Sequence, residues 1–290
     1  MNMQINCIWK GPAALGEGPV WHVKEKSLYW VDIAEPRLHR LPVNGDYQSW
    51  ELPDIIGAIA PRAAGGLIGG VGGNLVIIEC FPFFQMTRIK EVLPKGSLLR
   101  FNDGKCDRKG RFWVGVASVD LENPKGGLFC LDLDGSLKQI ETGITISNGL
   151  GFSPDDKHFY YTDGLRYTVY RYNFDLNSGK LSNRHAFITL PKGVIEPDGL
   201  TVDSEGCIWE AQWNSGHIFR FSPNGQLDRK IKMPVKRPTS CMFGLETLDV
   251  LYVTSCSRGL DETKVLPPPA GAVFALDVGV KGLPEPMFLG

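Results

Sequence analysis

"CDRKGRFWVGVAS", residues 106–118, runs a charged turn ending in glycine straight into a short apolar strand. The same grammar recurs in "VKEKSLYWVDI" (23–33), "AAGGLIGGVGG" (63–73), "SPDDKHFYYTDG" (153–164), "VDSEGCIWEAQW" (202–213) and "GLETLDVLYVTS" (244–255). With Trp30, Ile68, Trp113, Tyr160, Trp209 and Tyr252 as anchors, successive units lie about 38, 45, 47, 49 and 43 residues apart, the period of four-stranded propeller blades. Six such units fill the 290 residues. Glycine (34) and proline (20) punctuate runs rich in Val, Ile, Tyr, Trp and Phe, which reads as many strands joined by turns. No long segment keeps a helical period. The sequence therefore predicts an all-β fold, a six-bladed β-propeller occupying residues 1–290 as one domain. A pair of β-sandwiches is the alternative, but it would not space its anchors so evenly.

A second repeat, in "LFCLDLDGS" (128–136), "RYNFDLNSG" (171–179), "IFRFSPNGQ" (218–226) and "VFALD" (273–277), fits the third strand of several blades. A propeller must close its ring, and "QINCIWK" (4–10) reads as the outer strand that completes the blade of "LYVTS" and "AVFALD".

Composition narrows the function. A net charge of −1 gives no electrostatic footprint for nucleic acid or an anionic membrane. No apolar run is long enough to span a bilayer, and "MNMQINCIWKG" lacks the basic start and apolar stretch of a secretory signal. The seven cysteines are odd in number and scattered, without C-x-x-C, which fits buried free thiols in a reducing cytoplasm.

Polar residues recur at one phase of the repeat. About 13, 11, 12 and 11 residues before their anchors stand Glu17 in "GEGPVW", Asn102 in "RFNDGKCD", Asn148 in "ISNGLGFS" and Asp198 in "EPDGLTVD". The matching positions of the other two units, in "IIGAIAPR" and "PTSCMFGL", are small or apolar. Innermost propeller strands all start at one end of the channel, so residues of equal phase converge on one mouth. Taken singly, "SNG" and "PDG" read as turn tripeptides, and Asp103 in "NDG" is read as a turn residue. The shared phase favours a joint role. Two carboxylates and two amides in a confined channel need a counter-charge, and no Lys or Arg occurs at that phase. A divalent cation supplies one; an all-oxygen set suits calcium, magnesium or manganese and is compatible with zinc or iron(II). Glycines flanking Glu17 are expected to keep the mouth open.

These segments, "LGEGPVWHVKEKSLYWVDI", "RFNDGKCDRKGRFWVGVAS", "ISNGLGFSPDDKHFYYTDG", "EPDGLTVDSEGCIWEAQW" and "RPTSCMFG" with "LYVTSCSRGL", resemble in order those of the senescence-marker-protein/gluconolactonase/luciferin-regenerating-enzyme-like family. The resemblance runs from about residue 15 to 277 and is nearest to bacterial sugar-acid lactonases, including those that open xylonolactone. It implies a six-bladed propeller with one catalytic divalent metal held by Glu17, Asn148 and Asp198. It further implies that Arg100 and Asn102 bind substrate, and that Asp120, with Glu122 as neighbouring competitor, holds sugar hydroxyls. The glycine-rich second unit departs from the family's more regular strand pair.

The implied reaction is hydrolysis of a sugar lactone (xylono-, glucono- or arabinonolactone) to the aldonic acid, with Asp198 as general base. Five histidines stand in no ligand-like spacing, and no G-x-S-x-G is present, which removes the usual serine-hydrolase route. Two other readings stay open: a binding module with a structural metal, and an ester or phosphotriester hydrolase using the same centre. The polar wall of Arg100, Asn102 and Asp120 favours a polyhydroxylated small-molecule substrate.

Overall fold

The computed structural model describes residues 4–120, 123–193, 195–260 and 269–290. Among them lie 24 strands and a single 3₁₀ turn, Gly164–Arg166. Six four-stranded antiparallel sheets follow one another along the chain. Five are built from consecutive strands, over residues 16–51, 56–91, 99–144, 147–189 and 196–232. The sixth joins β22 (Pro238–Gly244), β23 (Val250–Ser255) and β24 (Val273–Asp277) to β1 (Ile5–Trp9) from the other end of the chain. The N-terminal strand thus closes the ring as the sequence predicts, pairing Ile5 with Leu276 and Cys7 with Phe274.

The innermost strands are β2 (Gly16–His22), β6 (Ile56–Pro61), β10 (Leu99–Cys106), β14 (Ser147–Phe152), β18 (Glu196–Val202) and β22. Each touches the next, and β22 touches β2. Burial on both faces explains their small and apolar composition. Outermost strands are the opposite: β9 (Gln85–Glu91), "QMTRIKE", and β21 (Leu227–Lys232), "LDRKIK", are mostly exposed and charged. Charges on a free edge discourage pairing with another sheet.

Six apolar clusters lie one at each blade–blade interface. Trp113, Tyr160, Trp209 and Tyr252 each pack towards the following blade. In the first blade the residue in that position is Tyr29, while Trp30 packs backwards onto the sixth. The anchor there is therefore displaced by one residue, and in a strand of period two one residue reverses the face.

Two of the recurring turns share one device. Asp107 accepts from the backbone N–H of Lys109 and Arg111, from Arg111 Nε at 2.7 Å and from Trp113 Nε1 at 2.9 Å. Asp203 accepts from the N–H of Glu205 and Cys207, from Trp209 Nε1 at 2.9 Å and from Arg220. One aspartate thus fixes the turn, holds the indole six residues on, and neutralises a buried guanidinium. All seven cysteines are free thiols, six of them buried.

Candidate functional site

Every inner strand breaks register near its start. In β14, Ser147 faces Asp163 and Leu150 faces Tyr161, leaving Asn148 and Gly149 opposite one residue of the partner strand. In β18 the same bulge falls on Asp198 and Gly199, and in β10 on Asn102 and Asp103. A bulge re-aims a side chain and commonly borders a functional site. The tripeptides "NDG", "SNG" and "PDG", readable as turns, are thus strand bulges. Their glycines have ordinary negative φ and serve close approach instead. A Cβ on Gly149 would lie 2.4 Å from the backbone nitrogen of Leu200, and one on Gly199 would lie 2.0 Å from Ser240 Oγ. Gly18 is different: its φ of +52° is the conformation that the bulge after Glu17 needs. The glycines around Glu17 therefore shape backbone and blade contact and do not hold the mouth open; a Cβ on Gly16 would strike the carbonyl of Ser255 at 2.8 Å.

Glu17, Arg100, Asn102, Asn148 and Asp198 line one cavity of about 610 Å³. The structure brings together five of the six residues that the sequence singles out. Asp120 is not among the lining residues. Its carboxylate accepts from Ser118 Oγ at 2.6 Å and from Asn123 Nδ2 at 2.8 Å, as a loop-organising residue does. Glu122 lies outside the described residues. None of the five histidines lines the cavity.

A chain of hydrogen bonds links three blades across the cavity floor. Arg100 Nη1 donates to Asn102 Oδ1, and Asn102 Nδ2 donates to the carbonyl of Ser147 at 2.7 Å and to Asn148 Oδ1 at 2.6 Å. Asn148 Nδ2 in turn donates to the carbonyl of Pro197 at 3.1 Å. Each amide is oriented by a partner that can only donate or only accept. Asn102 has spent its oxygen on Arg100, whereas Asn148 has spent its nitrogen on Pro197 and offers its oxygen to the site.

Glu17 and Asp198 are each 7 % exposed, and neither forms a salt bridge with a described residue. Glu17 accepts one hydrogen bond, from the N–H of Gly18 at 3.0 Å; Asp198's carboxylate has no hydrogen-bond partner among the described residues. Burial, then repulsion from Asp103, pushes Glu17 up to about 8. Burial, then Glu17 and Asp103, holds Asp198 well above the usual carboxylate range. Burial pulls Arg100 down, partly offset by Glu17 and Asp198. Asp103, read from sequence as a turn residue, lies lower in the channel with Lys105 and Glu285 and is pushed up to about 6, chiefly by burial. Lys105 pairs there with Glu285 at 3.1 Å.

Buried carboxylates without a salt bridge to a described residue, beside a carbonyl-type oxygen, form an oxygen-only donor set that fits a hard divalent ion. A second acidic group, Asp203, Glu205 and Cys207, also brings potential ligand atoms within 4.8 Å of one another. Arg220 already binds both of its carboxylates there.

Several cavity residues escape the sequence reading. Leu15, Ile55, Ile146, Glu196 and Arg237 join the already identified Arg100 on the cavity wall, one from each blade. Each precedes the phase of Glu17, Gly57, Asn102, Asn148, Asp198 and Thr239 by two residues, which in a strand is the same face. That period was the signal for Glu196 and Arg237. Trp213, Arg258, Ile33 and Val119 come from loops and strand ends beyond it. Glu210, buried behind Asp198 and held by Thr162 Oγ1 and Gln212 Nε2, carries no mark in "IWEAQW" that sets it apart from a strand residue.

Residues 15–257 match the family model described as the SMP-30/gluconolactonase/LRE-like region. The chain belongs to that family. It is 36% identical over 293 aligned residues to a 6-deoxy-6-sulfogluconolactonase of Pseudomonas putida, covering 100% of both chains. It is 38% identical to a pentonolactonase of Haloferax volcanii, covering 93% of each. Among solved structures, a calcium-binding regucalcin of Agrobacterium tumefaciens superposes with a TM-score of 0.91 at 26% identity, over 96% of this chain and 95% of that one. Membership of this SMP-30/gluconolactonase family, with named lactonases among the full-length relatives, makes the protein a sugar lactonase.

Proposed function

We infer that this lactonase is metal-dependent and opens aldonolactones, the glucono-, xylono- or arabinonolactone class, to the free aldonic acids. One observation carries the reading: Glu17, Asp198 and the oxygen of Asn148 converge, buried and without a salt bridge to a described residue, on the floor of a cavity large enough for a sugar ring. Glu17, Asn148 and Asp198 would hold the ion. A divalent ion at such a centre polarises the ring carbonyl and stabilises negative charge that develops on its oxygen. Asp198 is the base that takes the proton from the attacking water. Its lack of any donor among the described residues leaves lone pairs available for the task. Arg100 and Asn102 orient ring hydroxyls: Arg100 keeps donors beyond those used on Phe101 and Asn102, and Asn102, whose amide N–H groups go to Ser147 and Asn148, holds the Arg100 guanidinium at the cavity. The resemblance also assigns Asp120 to sugar hydroxyls; it lies outside the cavity lining, bound to Ser118 and Asn123 of its own loop.

The lactonases among the relatives support a lactone substrate, and the calcium-binding regucalcin supports a metal. Substitution tests the reading. Asp198→Ala and Asn148→Ala should each lower lactone hydrolysis by about 10²-fold or more while the circular dichroism spectrum stays that of the wild type. Full activity in either variant would remove that residue from the centre.

A further inference from the structure

The cavity wall is divided. Leu15 and Ile33 of blade one, Ile55 of blade two and Ile146 of blade four are its apolar residues, with Arg100 of blade three between the last two, while Arg237 and Arg258 of blade six lie between blade one and Trp213 of blade five. Neither arginine forms a salt bridge with a described residue. Arg237 is fixed in place: its Nε donates to Asn214 Oδ1 at 2.7 Å, Nη1 donates to the carbonyl of Arg258, and the guanidinium lies 5.1 Å from the Trp213 ring centroid. Those bonds use two of five N–H donors, and both Nη2 donors stay unpartnered among the described residues. Arg258 is exposed, without a side-chain partner among them, and near enough to Arg100 to lower its proton affinity. Glu196 of blade five lines the same cavity near Arg237, without a salt bridge between them, so both Nη2 donors of Arg237 remain open to a further anion.

We propose that Arg237 and Arg258, with Trp213 behind them, form a subsite for an anionic group on the substrate, a carboxylate, sulfonate or phosphate at the end of the sugar remote from the lactone carbonyl. The proposal rests on the lactonase reading for the position of the carbonyl, at the Glu17–Asn148–Asp198 floor. Arg237 stands one step above that floor on the same strand face, so the reacting end and the charged end of one small molecule fit the two levels. A pre-oriented planar fork suits a tetrahedral or planar anion in two-point contact.

The test is binding and needs no turnover. Calorimetry compares gluconate with 6-phosphogluconate, glucarate and 6-deoxy-6-sulfogluconate on the purified protein. At least one doubly charged ligand should bind about tenfold or more tighter than gluconate, and their ranking names the preferred anion. Arg258→Ala, a surface change, should erase most of that advantage; Arg237→Lys, which keeps charge but not the fork, should reduce it. Equal affinity for all four ligands in the wild type, or an advantage untouched by both variants, would overturn the subsite. Lactone hydrolysis measured on the same preparation separates the outcomes: hydrolysis without anion preference removes the subsite alone, and anion preference without hydrolysis removes the lactonase mechanism alone.

Discussion

Glu17 and Asp198 have no salt-bridge partner among the described residues, and Arg100 offsets their charge only in part, so the site's behaviour should follow pH. The folded state holds the Glu17 proton up to about 8, against an ordinary value of 4.5. Stability from this group is therefore fully present below 4.5 and is lost as pH rises through about 8, because the unfolded chain ionises freely while the folded one does not. A bound dication removes the loss by displacing the proton. Thermal unfolding with and without saturating divalent ion should show a larger gain at about pH 8.5 than at about pH 5.5; equal gains would dissociate Glu17 from the ion. Arg100→Ala should raise KM for a polyhydroxylated lactone by about tenfold or more, and much less for an unsubstituted lactone of the same ring size. At this scale the sequence was legible wherever phase and residue type agreed, as at Asn148 and Asp198. At Arg237 and Glu196 the phase two residues earlier was the only signal, because their charges are those of ordinary surface residues.

The element that makes the site is the bulged inner strand. It turns Asn148 and Asp198 towards the channel, and the glycine after each lets the next blade's backbone come close. Gly149→Ala must push against Leu200 N and Asp198 O, both backbone atoms. It should cost about 1–3 kcal/mol or more, visible as a lower denaturant midpoint, and should weaken metal binding because Asp198 moves with its carbonyl. The Asp107 clamp predicts a different failure: Asp107→Ala leaves Arg111, only 4 % exposed, without its carboxylate, a loss of about 3–5 kcal/mol, with little change in KM for the protein that stays folded. Turn, apolar strand and third-strand motif were all readable from sequence because each is set by local chemistry. The bulges were not, since "SNG" and "PDG" satisfy turn chemistry equally well. Nor was the face of the first anchor, because Tyr29 and Trp30 are both large aromatics and only the packing of the sixth blade on the first decides between them.

At the scale of the whole molecule, the ring depends on its ends. The strand Ile5–Trp9 covers β24, and Trp9 packs against Trp30, His39 and Tyr47 of the first blade. The other terminus crosses the far side of the channel, with Phe288 buried and bonded to Pro61 and Glu285 paired with Lys105. Deleting the chain through Trp9 should expose the β24 edge, so light scattering should detect association through that edge and unfolding should begin at lower temperature. A truncated chain that stays monomeric with unchanged unfolding would contradict the closure. Ring closure by the N-terminal strand was foreseeable because six equal units leave one strand missing; the C-terminal crossing was not, since its residues follow no repeat.

The most direct measurement is proton release from freshly prepared aldonolactones, with the protein stripped by EDTA and then supplied with single divalent metals. The account predicts negligible acceleration over spontaneous opening after stripping, and its return with at least one metal on pentono- or hexonolactones. Undiminished hydrolysis by fully stripped protein, or none with any metal, would contradict it.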